Sequence, residues 1–156
     1  MSVNKASVLW ALAIRTRNFL LPEWADWQKR RGLSPPVPST WTCVRSSMFL
    51  SRVLNAEGYD ATWVNNIPRL SEDAPELGPY GYFTGTRWEA HAWVMYDGWI
   101  VDITADQFGG DEVTITGLEN PLYGLSGVDT APDETKVSRE AEIDALWLRW
   151  HLIGNK

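Results

Sequence analysis

The sequence predicts a single α+β domain in which helices pack on an antiparallel β-sheet. Apolar residues recur at helical spacing over much of the first sixty residues and again near the end of the chain. Between these regions, short runs of apolar and β-branched residues are joined by an Asp-Gly pair, which is typical of an antiparallel hairpin. The chain of 156 residues, 44% of them hydrophobic, can bury one core without disulfides or metals.

Two short helices are expected in the first forty residues. Apolar residues between Val8 and Leu20 lie near 3.6-residue spacing, which indicates the first helix. Pro22 is expected to open the second, PEWADWQKRR, and Gly32 to end it. The following stretch, GLSPPVPST, is rich in proline and cannot continue a helix, so we expect a stiff connector.

A further helix is expected from Thr42 to Glu57. Its apolar residues form one stripe, and Gly58 is placed to end it in the left-handed conformation. This helix carries Cys43 in its first turn. Its start could be capped by any of three hydroxyl residues: Ser39, Thr40 or Thr42.

Strands are expected in the middle of the chain. The stretch YDATWV (59–64) predicts a strand, and prolines and glycines predict a loop from Asn65 to about Arg87. Loops of that length are usually functional or disordered. After the hairpin we expect a strand at Glu112–Thr116 and a last helix from about Ser138 to His151, with three residues on one side: Ile143, Trp147 and Trp150.

The hairpin HAWVMYDGWIVDIT (91–104) contains one of only two histidines. Its Asp-Gly pair predicts a two-residue type I′ turn, because that turn requires positive φ at both central positions. If the residues flanking the pair face each other, His91 and Asp102 become diagonal neighbours on one face. The carboxylate could then hold one ring nitrogen and fix the tautomer of the other. The alternative is a half-buried histidine and a solvated aspartate at a strand end.

Cys43 is the only cysteine, so the chain can form neither an internal disulfide nor a multi-thiolate zinc site. A free cysteine is most often a small buried apolar residue. At a helix start, however, the reactive thiolate is favoured and the backbone N–H can help bind an oxyanion. Cys43, His91 and Asp102 would then be the nucleophile, the base and the orienting acid of thiol acyl transfer, respectively. Asp106 is a rival for the acid, but it lies farther along the strand.

Charge and composition argue against several classes of function. The net charge of -6 argues against nucleic acid, and the one basic run (29–31) is expected to be a solvated last helical turn. The apolar run 8–14 is too short to span a bilayer and lacks a cleavage site, so we expect no membrane association and a cytoplasmic protein. We expect no metal, because the histidines and the cysteine lack ligand spacing, and His151 is expected to be a surface or packing residue.

The stretches TCVRSSMFLSRVLNAEGYDATWV and HAWVMYDGWIVDITADQF resemble the transglutaminase-like and papain-like cysteine enzymes. The AHAWV-x-x-DG core is also similar to that of bacterial leader peptidases from lasso-peptide maturation. The resemblance covers about residues 40–108. It implies a Cys-bearing helix packed on an antiparallel sheet, with Cys43 as nucleophile, His91 as general base and acid, and Asp102 as orienting carboxylate, without a cofactor.

One departure from the family pattern concerns the oxyanion hole. Papain relatives carry a glutamine shortly before the cysteine, whereas PPVPSTWT contains none. The indole N–H of Trp41, as in transglutaminases, or the amide of Gln107 is expected to substitute.

The expected function is therefore cleavage of an amide bond in a peptide or protein substrate. Glutamine deamidation and transglutamination share the same steps and are alternatives. A non-catalytic domain that binds a protein partner through a tryptophan-rich surface and the 65–88 segment is another. We divide the single domain (1–156) into a helical N-terminal segment (1–38), a catalytic core (40–116) and a C-terminal helix (138–152).

Overall fold

The computed structural model describes residues 1–125 and 133–154. Helices and two antiparallel sheets in these residues confirm the α+β class. The elements in chain order are α1 (Val3–Arg30), α2 (Cys43–Ala56), β1 (Ala61–Asn66), β2 (Gly81–Phe83), β3 (Trp88–Glu89), β4 (His91–Tyr96), β5 (Trp99–Asp102), a 3-10 helix (Ala105–Phe108), β6 (Thr114–Gly117), β7 (Tyr123–Gly124) and α3 (Asp133–Gly154).

The prediction of two short N-terminal helices is wrong, because α1 is one continuous helix with Pro22 inside it. Proline lacks the N–H of one helical hydrogen bond, which normally disfavours this position. Here Leu20 and Trp24, on either side of the proline, are both fully buried in the same core. Packing on both sides therefore outweighs the local preference to break. The expected basic last turn is present at the end of α1.

Helix α2 runs from Cys43 to Ala56, one residue shorter at each end than predicted, so Cys43 lies in its first turn as expected. Gly58 beyond its end has a φ of +91°. The predicted side-chain cap is wrong. Thr42 is the N-cap residue, but its hydroxyl donates to the carbonyl of Ser39, and the hydroxyl of Thr40 donates to that of Val37. These hydroxyls therefore stabilise the connector before α2 and do not accept from the first-turn N–H groups of the helix.

The main sheet has the strand order β1-β4-β5-β6. The predicted hairpin register is confirmed, because Tyr96 pairs with Trp99 and both turn residues have positive φ, +48° at Asp97 and +77° at Gly98. One face of the hairpin joins the core formed with the three helices. The other face packs on a second sheet. Strands β1 and β6 each begin two residues later than expected.

The second sheet has the order β3-β2-β7 and corrects the prediction of one long loop before the hairpin. Gly81 begins β2 with a φ of +91°, and a Cβ at this position would overlap the carbonyl oxygen of Glu89. Strand β2 pairs with Tyr123–Gly124, about forty residues farther along the chain. Strand β2 also pairs with β3, which is near in sequence. Both strands have at most three residues, which is too short for a recognisable alternating pattern.

Helix α3 closes the main core and is longer than expected. Ile143 is buried, and Trp147 and Trp150 pack against the same core, which confirms the predicted face. The ring of Trp150 lies 5.6 Å from that of Phe49 on α2. Within the described residues, no helix combines the length and apolar character needed to cross a membrane.

Candidate active site

His91 begins β4 and is fully buried. Its Nε2 lies 2.7 Å from Oδ2 of Asp102, at the end of β5. The hairpin register brings the two residues together as diagonal neighbours, which is the contact the sequence predicts.

The carboxylate of Asp102 accepts three further hydrogen bonds from described residues. The backbone N–H and the hydroxyl of Thr104 donate to Oδ1, at 2.9 and 3.3 Å. The hydroxyl of Tyr123 donates to Oδ2 at 2.9 Å. Donors on both oxygens hold the carboxylate in place and favour its ionised form. Sequence reasoning missed Tyr123, which lies in a stretch without hydrophobic periodicity.

The buried pair is charged. Burial alone lowers the pKa of His91, but the charge and hydrogen bond of Asp102, with a smaller contribution from Cys43, raise this pKa to about 10. Burial raises the pKa of Asp102, but the histidine, Thr104 and Tyr123 together bring it below its usual value. The pKa of Tyr123 is raised by burial and by the neighbouring carboxylate, so its hydroxyl keeps its proton as a donor. At neutral pH the pair is therefore imidazolium and carboxylate.

Cys43 is partly exposed at the start of α2. Its side chain lies close enough to the imidazole of His91 to contribute to the raised pKa of that ring. The ring nitrogen not bound to Asp102, Nδ1, is buried without a partner of ordinary hydrogen-bond geometry among the described residues. The sulfur of Cys43 and this ring nitrogen are therefore neighbours without a hydrogen bond of ordinary geometry.

Three aromatic rings surround the buried imidazole. The ring centroids of Tyr82, Trp93 and Phe108 lie 5.7, 5.8 and 5.1 Å from that of His91. These rings exclude water from the ion pair and strengthen its electrostatic interaction. Of the three, Trp93 lies on β4 two residues after His91, whereas the other two come from segments whose placement only the fold decides.

Two grooves meet at Cys43. Both are lined by Trp41, Cys43 and Ala90. The α1-side groove, about 510 Å³, is completed by residues of the α1 end, α2 and β1 with its following loop: Arg31, Leu33, Val44, Asn65 and Ile67. The 3-10-side groove, about 570 Å³, is completed by Thr40, Thr84, Glu89, Gln107 and Phe108. A chain lying in both grooves would pass over the sulfur.

The two expected oxyanion donors are neighbours in the cleft. The backbone N–H of Trp41 donates to Oε1 of Gln107 at 3.2 Å, and Nε2 of Gln107 donates to the carbonyl of Thr104 at 2.9 Å. Trp41 has a φ of +61°, which a bulky residue rarely adopts. Gln107 therefore braces the strained turn before Cys43 against the segment that holds Asp102. The role of either residue toward an oxyanion stays a prediction.

Asp106, the rival for the orienting acid, faces away from the imidazole pair. Its carboxylate accepts hydrogen bonds from two guanidinium nitrogens of Arg17, at 3.0 and 2.8 Å, and from the hydroxyl of Ser39 at 2.6 Å. This network ties α1, the connector and the 3-10 helix together. Asp106 therefore supports the site from behind.

The second histidine lies apart from the site. His151 is exposed on α3, with its ring against Trp147, as expected for a surface or packing residue. Within residues 1–125 and 133–154, no group of three or more histidine, cysteine or acidic side chains is arranged to hold a metal ion.

Comparison with known proteins gave no match to any family profile, curated protein or solved structure.

Proposed function

We propose that this protein is a cysteine-nucleophile enzyme that cleaves an amide bond in a peptide or protein substrate. The observation that carries the proposal is the charged, fully buried His91–Asp102 pair next to a partly exposed Cys43. A helix headed by the cysteine and packed on an antiparallel sheet that bears the other two residues also supports membership of the transglutaminase-like and papain-like enzymes. That family assignment is part of the proposal.

The first half of the reaction forms a thioester. The Cys43 thiolate attacks the carbonyl carbon, so a C–S bond forms and the carbonyl oxygen becomes an oxyanion. When the intermediate collapses, the C–N bond breaks and the imidazolium of His91 gives its Nδ1 proton to the leaving amine. Asp102 holds Nε2 throughout, which keeps Nδ1 directed at the reacting atoms.

The second half releases the acyl group. Nδ1, now unprotonated, takes a proton from water while the water oxygen attacks the thioester carbonyl. The C–S bond then breaks, the acid product is released, and the thiolate–imidazolium pair is regenerated. A second amine in place of water would complete a transamidation by the same steps.

The oxyanion has two candidate donors beside the sulfur. The backbone N–H of Cys43 belongs to the first turn of α2, where N–H groups lack intrahelical acceptors and no side chain caps the helix. The Nε2 group of Gln107 has two hydrogens and uses one for Thr104, so the second can point into the groove. We assign the oxyanion hole to these two groups in preference to the Trp41 indole.

The shape of the cleft favours peptide cleavage over glutamine modification. The grooves on both sides of Cys43 give room for main chain before and after the scissile bond. The 65–88 segment, expected to bind a protein partner, contributes Ile67 and Thr84 to the two groove walls. Its binding role and the peptidase cleft are therefore proposed as one surface.

Alkylation tests the catalytic assignment without knowledge of the substrate. At pH 6, iodoacetamide should modify Cys43 much faster than a free thiol, because an imidazolium maintains the thiolate. His91→Ala should remove this excess, whereas His151→Ala, which changes the other histidine, should keep it. Equal rates in all three proteins, with native circular dichroism, would refute the assignment. A complex peptide mixture digested by wild type, with Cys43→Ala as control, then shows by mass spectrometry whether new termini appear.

A further inference from the structure

The α1-side groove continues beyond Leu33 into a third groove of about 540 Å³. Leu33 lines both of them. The third groove runs between the end of α1 and the connector that follows it, and its remaining lining is Ala25, Gln28, Lys29, Gly32, Ser34, Pro35 and Pro38. We call the two together the basic groove, for the reason given next.

The basic groove contains two unpaired cations. Arg31 lines its half next to Cys43, and Lys29 lines the half beyond Leu33. Both side chains belong to exposed residues, and no described carboxylate lies within ion-pair distance of either. Elsewhere most arginines of the described residues pair with a carboxylate: Arg17, Arg30, Arg45, Arg52, Arg69, Arg87 and Arg149.

The two unpaired cations differ from the rest of the molecule, because the chain as a whole carries a net charge of -6. A negatively charged surface repels acidic ligands in general. Two cations without intramolecular partners along one groove create a local region where a carboxylate is attracted. Arg30, between them in sequence, pairs with Asp26 and Glu142, so the basic run as a whole is not simply left to solvent.

The α1-side groove, which contains Cys43, also has apolar residues in its lining. Leu33, Val44 and Ile67 line it together with the indole of Trp41, which is 58% exposed. An apolar side chain next to the scissile bond would cover this surface and release water from it. The 3-10-side groove has a different character, because its charged residue is Glu89, which pairs with Arg87.

We propose that the basic groove binds an extended substrate segment with an apolar residue next to the cleaved bond and acidic side chains beyond it. The proposal rests on the proposed function and names its substrate class. Arg31 and Lys29 contact the carboxylates, whereas the 3-10-side groove has no cation among its described lining residues to attract an acidic segment. The charges thus set the direction in which a substrate lies across Cys43.

Peptide binding to Cys43→Ala tests this proposal without any catalytic step. The probes are fluorescein-labelled hexapeptides of three glutamates, leucine and two alanines, the same peptide reversed, and versions with glutamine or lysine in place of glutamate. For one of the two sequence directions, the glutamate peptide should bind about 5- to 20-fold tighter than its glutamine version at low salt. This preference should fall severalfold by about 0.5 M salt, because exposed charges are screened.

Charge reversal identifies the groove. Lys29→Glu combined with Arg31→Glu should abolish the preference for glutamate, whereas Lys136→Glu, on the exposed surface of α3 and outside the groove, should preserve it. Equal binding of the glutamate and glutamine peptides, no binding of any peptide, or the same loss in Lys136→Glu would overturn the proposal. Acid-selective binding without cleavage by wild type would instead support the groove and count against the peptidase.

Discussion

The substitution Asp102→Asn separates the charge of the buried pair from its shape. Asparagine keeps an oxygen that can accept from Thr104 and Tyr123, but it removes the negative charge beside Nε2 of His91. In the wild type the pKa of His91 rises from 6.5 to about 10. At 1.36 kcal/mol per unit, this corresponds to about 5 kcal/mol in favour of the imidazolium. Without the carboxylate, burial dominates and the imidazole is neutral at pH 6.

The consequence for the thiol can be worked out. An ordinary thiol is about 0.3% ionised at pH 6, so loss of a complete ion pair lowers the thiolate fraction by at most about 300-fold. A thiolate paired with an imidazolium is intrinsically less nucleophilic than a free one, which recovers part of this factor. We therefore expect Asp102→Asn to lower the iodoacetamide rate of Cys43 at pH 6 by about 30- to 100-fold.

The assay is the second-order alkylation rate from pH 5 to 10, followed by intact mass. Asp97→Asn is the matched control, because it makes the same chemical change in the same hairpin at an exposed position of the turn. Asparagine followed by glycine also suits that turn type. If Asp102→Asn stays folded and reacts at pH 6 within threefold of wild type, the charge of this aspartate does not maintain the thiolate and the reasoning fails.

The same pair predicts how stability depends on pH. The raised pKa of His91 contributes stability that is complete below pH 6.5 and is lost as pH rises toward 10. The lowered pKa of Asp102 contributes stability that is present above pH 3.8 and is lost in stronger acid. Between pH 6.5 and 10 the histidine alone should lower the free energy of unfolding by about 1.4 kcal/mol per pH unit. Urea titrations of wild type and Asp102→Asn measure the difference, and parallel pH profiles would contradict it.

Three further substitutions test the surroundings of the site. Tyr123→Phe removes a donor that helps lower the pKa of Asp102, so the loss of stability in acid should move to higher pH. Urea titrations should also show about 1–2 kcal/mol less stability at pH 6. An unchanged midpoint of acid unfolding would contradict this. Arg17→Met leaves the carboxylate of Asp106, whose side chain is only 14% exposed, without its cation and should cost about 3–5 kcal/mol by the same titration. A cost below about 1 kcal/mol would show that the network adds little. Gly81→Ala should lower the melting temperature far more than Gly85→Ala, because both have positive φ but only Gly81 meets a neighbouring carbonyl; equal shifts would refute the overlap.

Local signals explain what could be predicted of the site. The Asp-Gly turn fixes its own geometry, and a two-residue turn fixes the register of both strands. The contact between His91 and Asp102 follows from that register. The start of α2 at Cys43 follows from a proline-rich connector and a helical stripe that meet at this point. Each of these inferences uses interactions within about fifteen residues.

The predictions that failed depended on competition between local and distant contacts. Pro22 normally starts a helix, but the buried residues on both sides of it keep α1 continuous. Ser39 is a good capping residue, but its hydroxyl instead donates to Asp106, which arrives from a segment 67 residues away. A distant partner that offers a better hydrogen bond is invisible to a local pattern.

The sequence by itself thus determined the α+β class, the hairpin register and the position of the cysteine at a helix start, because turn geometry and side-chain periodicity are local properties of the chain. Only the tertiary structure decided that Tyr123 donates to Asp102, that Tyr82 and Phe108 enclose the imidazole, and that two grooves meet at Cys43. These features join segments that are far apart in sequence, and their energy comes from packing, burial and long-range pairing that exist only once the chain has folded.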